Sequence, residues 1–142
     1  VRECTYMTLA IALKLYAIAF ALFIVIDLVW LGFVATGVYR KYMGDIMRDQ
    51  PIWPVAIVFY LLFVVGLTYF AIAPAVDGGS MQDALVKGAL FGFFTYASFD
   101  LTSWAVLKGY PAAIVPIDMT WGTVLGASVS TGTYALYDRF LA

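Results

Sequence analysis

The sequence predicts an all-α integral membrane protein: a four-helix transmembrane bundle occupying residues 1–142 as one domain. Three observations point to it. The chain is 64% hydrophobic and only 12% charged, where a soluble domain carries about 25% charged residues. Four apolar runs each reach the roughly 20 residues that cross about 30 Å of hydrocarbon. Polar breaks with glycine or proline separate them. Backbone groups in lipid must be satisfied within the segment, and four such runs close no β-barrel, so each run is a helix.

The first span covers about residues 9–35. The polar stretch 36–50 follows, with Arg40, Lys41, Asp45, Arg48 and Asp49. The second span is about 52–75, with Pro54 in its first turn and Pro74 near its end. Val76-Asp77-Gly78-Gly79-Ser80 reads as a turn. The third span is about 84–107, and Lys108-Gly109-Tyr110-Pro111 breaks it. The fourth is about 114–136, with Pro116 tolerated in its first turn. By the positive-inside rule, Arg40, Lys41, Arg48 and Lys108 place the first and third loops in the cytoplasm and both termini outside, against the pull of Arg2, Lys14 and Arg139. Trp53, Tyr39, Tyr42 and Tyr110 read as an interfacial aromatic belt. Val1 fits a GTG start codon read literally or a trimmed terminus, and Met7 is an alternative start.

Composition also excludes chemistry. Histidine is absent, which removes the common axial ligand of haem and bacteriochlorophyll, most catalytic zinc sites and any Ser–His or Cys–His dyad. Cys4 is the only cysteine, so no intrachain disulfide or cysteine cluster exists. A net charge of −1 with no basic patch gives nucleic acid nothing to hold. No cofactor or metal is expected, although the aromatic surface leaves room for bound lipid or carotenoid.

Against this background three aspartates stand out. Asp27, Asp100 and Asp118 each lie roughly 10–13 Å along a helix from the same end of the bundle, at about 1.5 Å per residue. A carboxylate in hydrocarbon costs about 2.5–3.5 kcal/mol on insertion scales, so three at one depth suggest one polar site for a ligand or proton. Tyr60 supplies a polar group at that depth from the second helix, and Tyr96 lies one turn from Asp100. Thr102, Ser103 and Thr120 add hydroxyls, and Trp30, Trp104 and Trp121 add aromatic surface. Lys14 and Lys87 sit toward the other face, and Lys108 stands at the rim. With no cation at their depth, at least one aspartate should hold a proton at neutral pH. The competing reading is structural: intramembrane aspartates also fix helix register by accepting from tyrosine or tryptophan.

Gly88 and Gly92 on the third helix, and Gly122 and Gly126 on the fourth, form small-xxx-small stripes that let helix backbones approach closely. Close approach there predicts a tight third–fourth pair and splayed inner ends, with a pocket open toward the cytoplasm. A weak internal repeat relates Phe20, Phe23, Asp27 and Trp30 to Phe93, Tyr96, Asp100 and Trp104.

The runs Asp27-Leu28-Val29-Trp30-Leu31-Gly32, Tyr39-Arg40-Lys41, Trp53-Pro54, Phe59-Tyr60-Leu61-Leu62, Gly88-Ala89-Leu90-Phe91-Gly92, Phe99-Asp100-Leu101-Thr102, Leu107-Lys108-Gly109 and Asp118-Met119-Thr120-Trp121-Gly122 resemble a bacterial family of predicted inner-membrane proteins described only as a domain of unknown function. The resemblance covers nearly the whole chain and implies four spans and a bacterial source, with no activity attached. The signatures of CDP-alcohol phosphotransferases, membrane prenyltransferases and intramembrane aspartyl proteases are missing. Small multidrug exporters place a lone acidic residue in the first of four helices. Asp27 stands near that role, without their other signatures.

These residues favour a transport-type or ligand-binding protein whose aspartates line a polar site for a proton, a cation or a polar or cationic small molecule, working as a homo-oligomer. A second reading is an accessory subunit of a respiratory or photosynthetic membrane complex. A third is a lipid-modifying enzyme using the aspartates as acid and base or as metal ligands.

Overall fold

The computed structural model describes residues 7–142, which form four helices and, among the described residues, no strand. They are α1 (Leu9–Met43), α2 (Trp53–Gly78), α3 (Met81–Val106) and α4 (Ile114–Phe140). Val1, Arg2 and Cys4 lie outside the described residues.

Local chemistry sets the ends. Thr8 caps α1 by accepting from the Ile11 amide at 3.2 Å, and Ser80 caps α3 by accepting from the Asp83 amide at 3.1 Å. Asp83 in the first turn of α3 complements the helix dipole and pairs with Lys87 at 3.4 Å. Gly79, at φ 63°, ends α2 in the left-handed conformation that costs glycine little. Gly109, at φ 78°, turns the chain between α3 and α4.

All four helices run further than the predicted spans, α1 and α2 through irregular turns. α1 continues through 35 to Met43, so Tyr39, Arg40 and Lys41 are helical rather than part of a loop. α2 passes Pro74 and ends at Gly78. Each contains one widened π-type turn, at Leu31–Ala35 and Thr68–Ile72. The second lies just before Pro74, which has no N–H to give to the preceding turn, and the wider turn absorbs that loss. In the first, the Thr36 hydroxyl donates to the Leu31 carbonyl at 2.5 Å, satisfying an acceptor at the widened turn.

The core runs along the centre of the bundle: Leu15, Ala19 and Phe23 of α1 pack with Phe63, Val64 and Leu67 of α2 and Leu125 and Val129 of α4. The most extensive helix pair is α3–α4. There the glycine stripes meet backbone to backbone: a Cβ at Gly92 would run into the Gly122 carbonyl, and one at Gly88 or Gly126 into the carbonyl of the other. Large apolar side chains cover the outside, Phe33 being 86% exposed and Leu62 65%. By length and apolarity together, α1 and α2 are able to cross a membrane. The other pair, α3 and α4, has comparable length but is diluted by glycine, hydroxyls and aspartate, and its glycine stripes face each other.

Candidate functional site: a buried carboxylate cluster

One buried aspartate comes from each of α1, α3 and α4. Asp100 is fully buried, while Asp27 and Asp118 are each 8% exposed. Asp118 is close enough to interact electrostatically with both of the other carboxyls. Among the described residues none of the three has an ion-pair partner, and no group of three acidic, cysteine or histidine side chains is arranged to hold a metal ion.

Tyrosines surround the carboxylates. The Tyr39 hydroxyl donates to Asp118 Oδ1. The Tyr110 hydroxyl donates to Asp100 Oδ1 at 2.7 Å. Tyr60 and the Trp121 indole lie beside Asp27. Tyr96 lies amid all three aspartates, its ring against Gly122, but donates to none of them. The Trp121 indole stacks on Trp30 at 4.2 Å between ring centres and 5° between planes, closing the α1–α4 seam beside Asp27.

Two donors are therefore not the expected ones. Tyr39 and Tyr110 looked like belt residues, yet Tyr110 is 7% exposed and both point inward. The widened turn explains Tyr39. Twelve residues separate it from Asp27, which at about 100° per residue puts it about 120° around the helix. A π turn takes up one extra residue, and the offset shrinks to about 20°. Tyr39 thereby joins the face of Asp27. Tyr110 comes from the break after α3, which folds back over the helix end. Burial, and then acceptance by Asp100, pushes the Tyr110 hydroxyl well above its ordinary titration range, so it stays a donor.

Other sequence candidates lie elsewhere. Trp104 is 52% exposed on the outer surface. Thr102 and Thr120 are exposed, and their hydroxyls donate back to the Ser98 and Pro116 carbonyls of their own helices. Ser103 is buried.

Two polar atoms at the cluster lack partners. Asp100 Oδ2 is buried and accepts nothing, and the buried Trp121 Nε1 makes no well-formed hydrogen bond although Asp27 is adjacent. An ionised Asp100 would leave an oxygen unsatisfied beside a second carboxylate, which is costly. One proton between Asp100 and Asp118 removes both penalties, because a protonated carboxyl donates. Beside the pair, a cavity of about 320 Å³ is walled by Phe59, Thr95, Tyr96 and Phe99 and reaches Asp118. Phe59 of α2 and Phe99 of α3 are exposed on the outer surface, so this cavity lies at the α2–α3 side of the bundle.

The structure makes Tyr110 a stability determinant. Tyr110→Phe removes the hydroxyl that donates to the buried Asp100 Oδ1 and should cost about 1–3 kcal/mol. Tyr16→Phe removes only a long 3.4 Å bond to the Leu61 carbonyl and should change thermal stability in detergent far less. Equal losses would show that the Tyr110 bond adds nothing.

No curated protein and no solved structure matches the chain. Residues 12–135 match the family described as "Predicted membrane protein (DUF2177)". That match covers all three aspartates, both glycine stripes and both tyrosine donors, and the chain belongs to this family of predicted membrane proteins.

Proposed function

We propose that the protein binds an organic cation at the aspartate cluster and exchanges it for a proton, as a four-span protein of the bacterial cytoplasmic membrane with its first and third loops inside. The observation that carries this reading is the cavity in which Asp118 meets the rings of Phe59, Tyr96 and Phe99. Aromatic faces attract cations through their quadrupoles, and a carboxylate supplies the charge that fixes them. Exposed aromatic rings at the cavity wall suit a ligand that partitions into the bilayer first. The unpartnered oxygen of Asp100 supports the second half of the mechanism. One proton rests between Asp100 and Asp118. An arriving cation takes over its electrostatic role and the proton leaves, so the net charge of the cluster is unchanged through the exchange.

Tetraphenylphosphonium is a suitable probe, added to purified protein in weakly buffered detergent. Binding should release about one proton per cation, and affinity should rise about tenfold per pH unit over the range in which the pair is protonated. Asp118→Asn should abolish both. Binding without proton release, or equal binding by Asp118→Asn, would overturn the exchange mechanism.

A further inference from the structure

A second cavity lies beyond the aspartate cluster, where α1 ends and the chain crosses to α2. Its volume is about 840 Å³. Arg40 and Arg48 both line it, and Leu31, Ala35, Met47 and Pro51 form its apolar walls. Arg40 sits in the last turn of α1, where a cation is favoured by the helix dipole, and Arg48 lies in the following loop. Basic residues in such a loop ordinarily need no explanation beyond orienting the protein in the membrane. The arrangement here is more particular. Two arginines line one cavity, and neither makes an ion pair or side-chain hydrogen bond among the described residues. The neighbouring Lys41, by contrast, lies outside the cavity, over the Tyr42 ring at 5.2 Å. Asp49 also lines the cavity and offsets one of the two charges, so the site stays net positive.

We infer that this cavity binds the phosphate group of an anionic amphiphile, with Arg40 and Arg48 on the phosphate oxygens and the apolar wall against the first methylenes of its chains. Guanidinium forks match phosphate geometry and are weakly hydrated, which suits a site at the edge of the hydrocarbon. An apolar wall next to the charges is what a headgroup joined to acyl chains needs and a fully hydrated ion does not. The inference stands apart from the cation exchange proposed above, since the two cavities have different linings. They meet at Tyr39, which lines this cavity and donates to Asp118.

Full-length protein in detergent is titrated separately with dioctanoyl phosphatidylglycerol, dioctanoylglycerol and inorganic phosphate, with native mass spectrometry counting bound molecules. The phosphatidylglycerol should be retained at one equivalent and bind at least tenfold more tightly than dioctanoylglycerol. Arg40→Gln and Arg48→Gln should each weaken it about tenfold or more, while Lys41→Gln and Lys108→Gln leave it unchanged. All four side chains are exposed, and unchanged melting temperatures will show that the variants fold. Inorganic phosphate binding as tightly as the lipid, with the same arginine dependence, supports the phosphate site and makes its natural source a soluble phosphate compound. Dioctanoylglycerol binding as tightly as the phospholipid, arginine variants binding like wild type, or no retention of either phosphate probe would overturn the inference.

Discussion

Gly92→Ala should lower the stability of the folded protein by about 1–3 kcal/mol, the range for forcing volume into a packed interface, and Gly92→Leu should abolish folding. The added methyl meets the backbone carbonyl of Gly122, not a side chain that can rotate away. The two helices must separate, and every contact along α3–α4 loosens with them, including the approach of Asp100 to Asp118. Gly126→Ala meets the Gly88 carbonyl and should behave alike. Gly32 is the control. It lies in the widened turn of α1 with open space where a Cβ would stand. Gly32→Ala should be neutral, or slightly stabilising through helix propensity, by less than about 1 kcal/mol. Thermal unfolding in detergent decides, and equal melting temperatures for Gly92→Ala and Gly32→Ala would refute backbone contact between the stripes.

Asp100→Leu should be among the most damaging changes in the site, and Asp100→Asn among the best tolerated. Leucine leaves the Tyr110 hydroxyl without its acceptor and Asp118 without its carboxyl neighbour, a combined cost of about 3 kcal/mol. Asparagine still accepts from Tyr110, and its NH₂ donates to Asp118 where the shared proton stood. Stability should therefore be nearly kept while proton release on cation binding is lost. Infrared spectroscopy tests the proton directly. Wild-type protein at neutral pH should show a carboxylic-acid carbonyl band that hydrogen–deuterium exchange shifts and that Asp100→Asn removes. If the band is absent from wild type at pH 5, no proton is shared and the exchange mechanism fails with it.

Much of this protein was legible without its structure, because some signals belong to single segments. An aspartate in an apolar run is conspicuous wherever the run packs, and the cost of stranding it in lipid turns it inward. That reasoning located Asp27, Asp100 and Asp118. A small-xxx-small stripe likewise announces close approach before its partner is known, and Gly88, Gly92, Gly122 and Gly126 do meet. Which tyrosines serve the carboxylates was not legible. Tyr60 and Tyr96 lie at the right depth, and Tyr60 does stand beside Asp27, yet the hydroxyls that donate to Asp118 and Asp100 are those of Tyr39 and Tyr110.

The sequence by itself determined the four helices, the apolar exterior, the tight α3–α4 seam and the inward burial of the three aspartates. These follow from composition and periodicity along one chain segment at a time. The tertiary structure alone decided that a widened turn at Leu31–Ala35 rotates Tyr39 onto the face of Asp27, that the chain after α3 folds Tyr110 over Asp100, and that Trp30 of α1 stacks on Trp121 of α4. It also gathered Arg40 and Arg48 into one cavity. Each of these depends on a rotation between helices or a reversal of the chain. A regular repeat of about 3.6 residues carries no record of where one turn holds an extra residue, so the partners of the aspartates are fixed only when all four helices are packed.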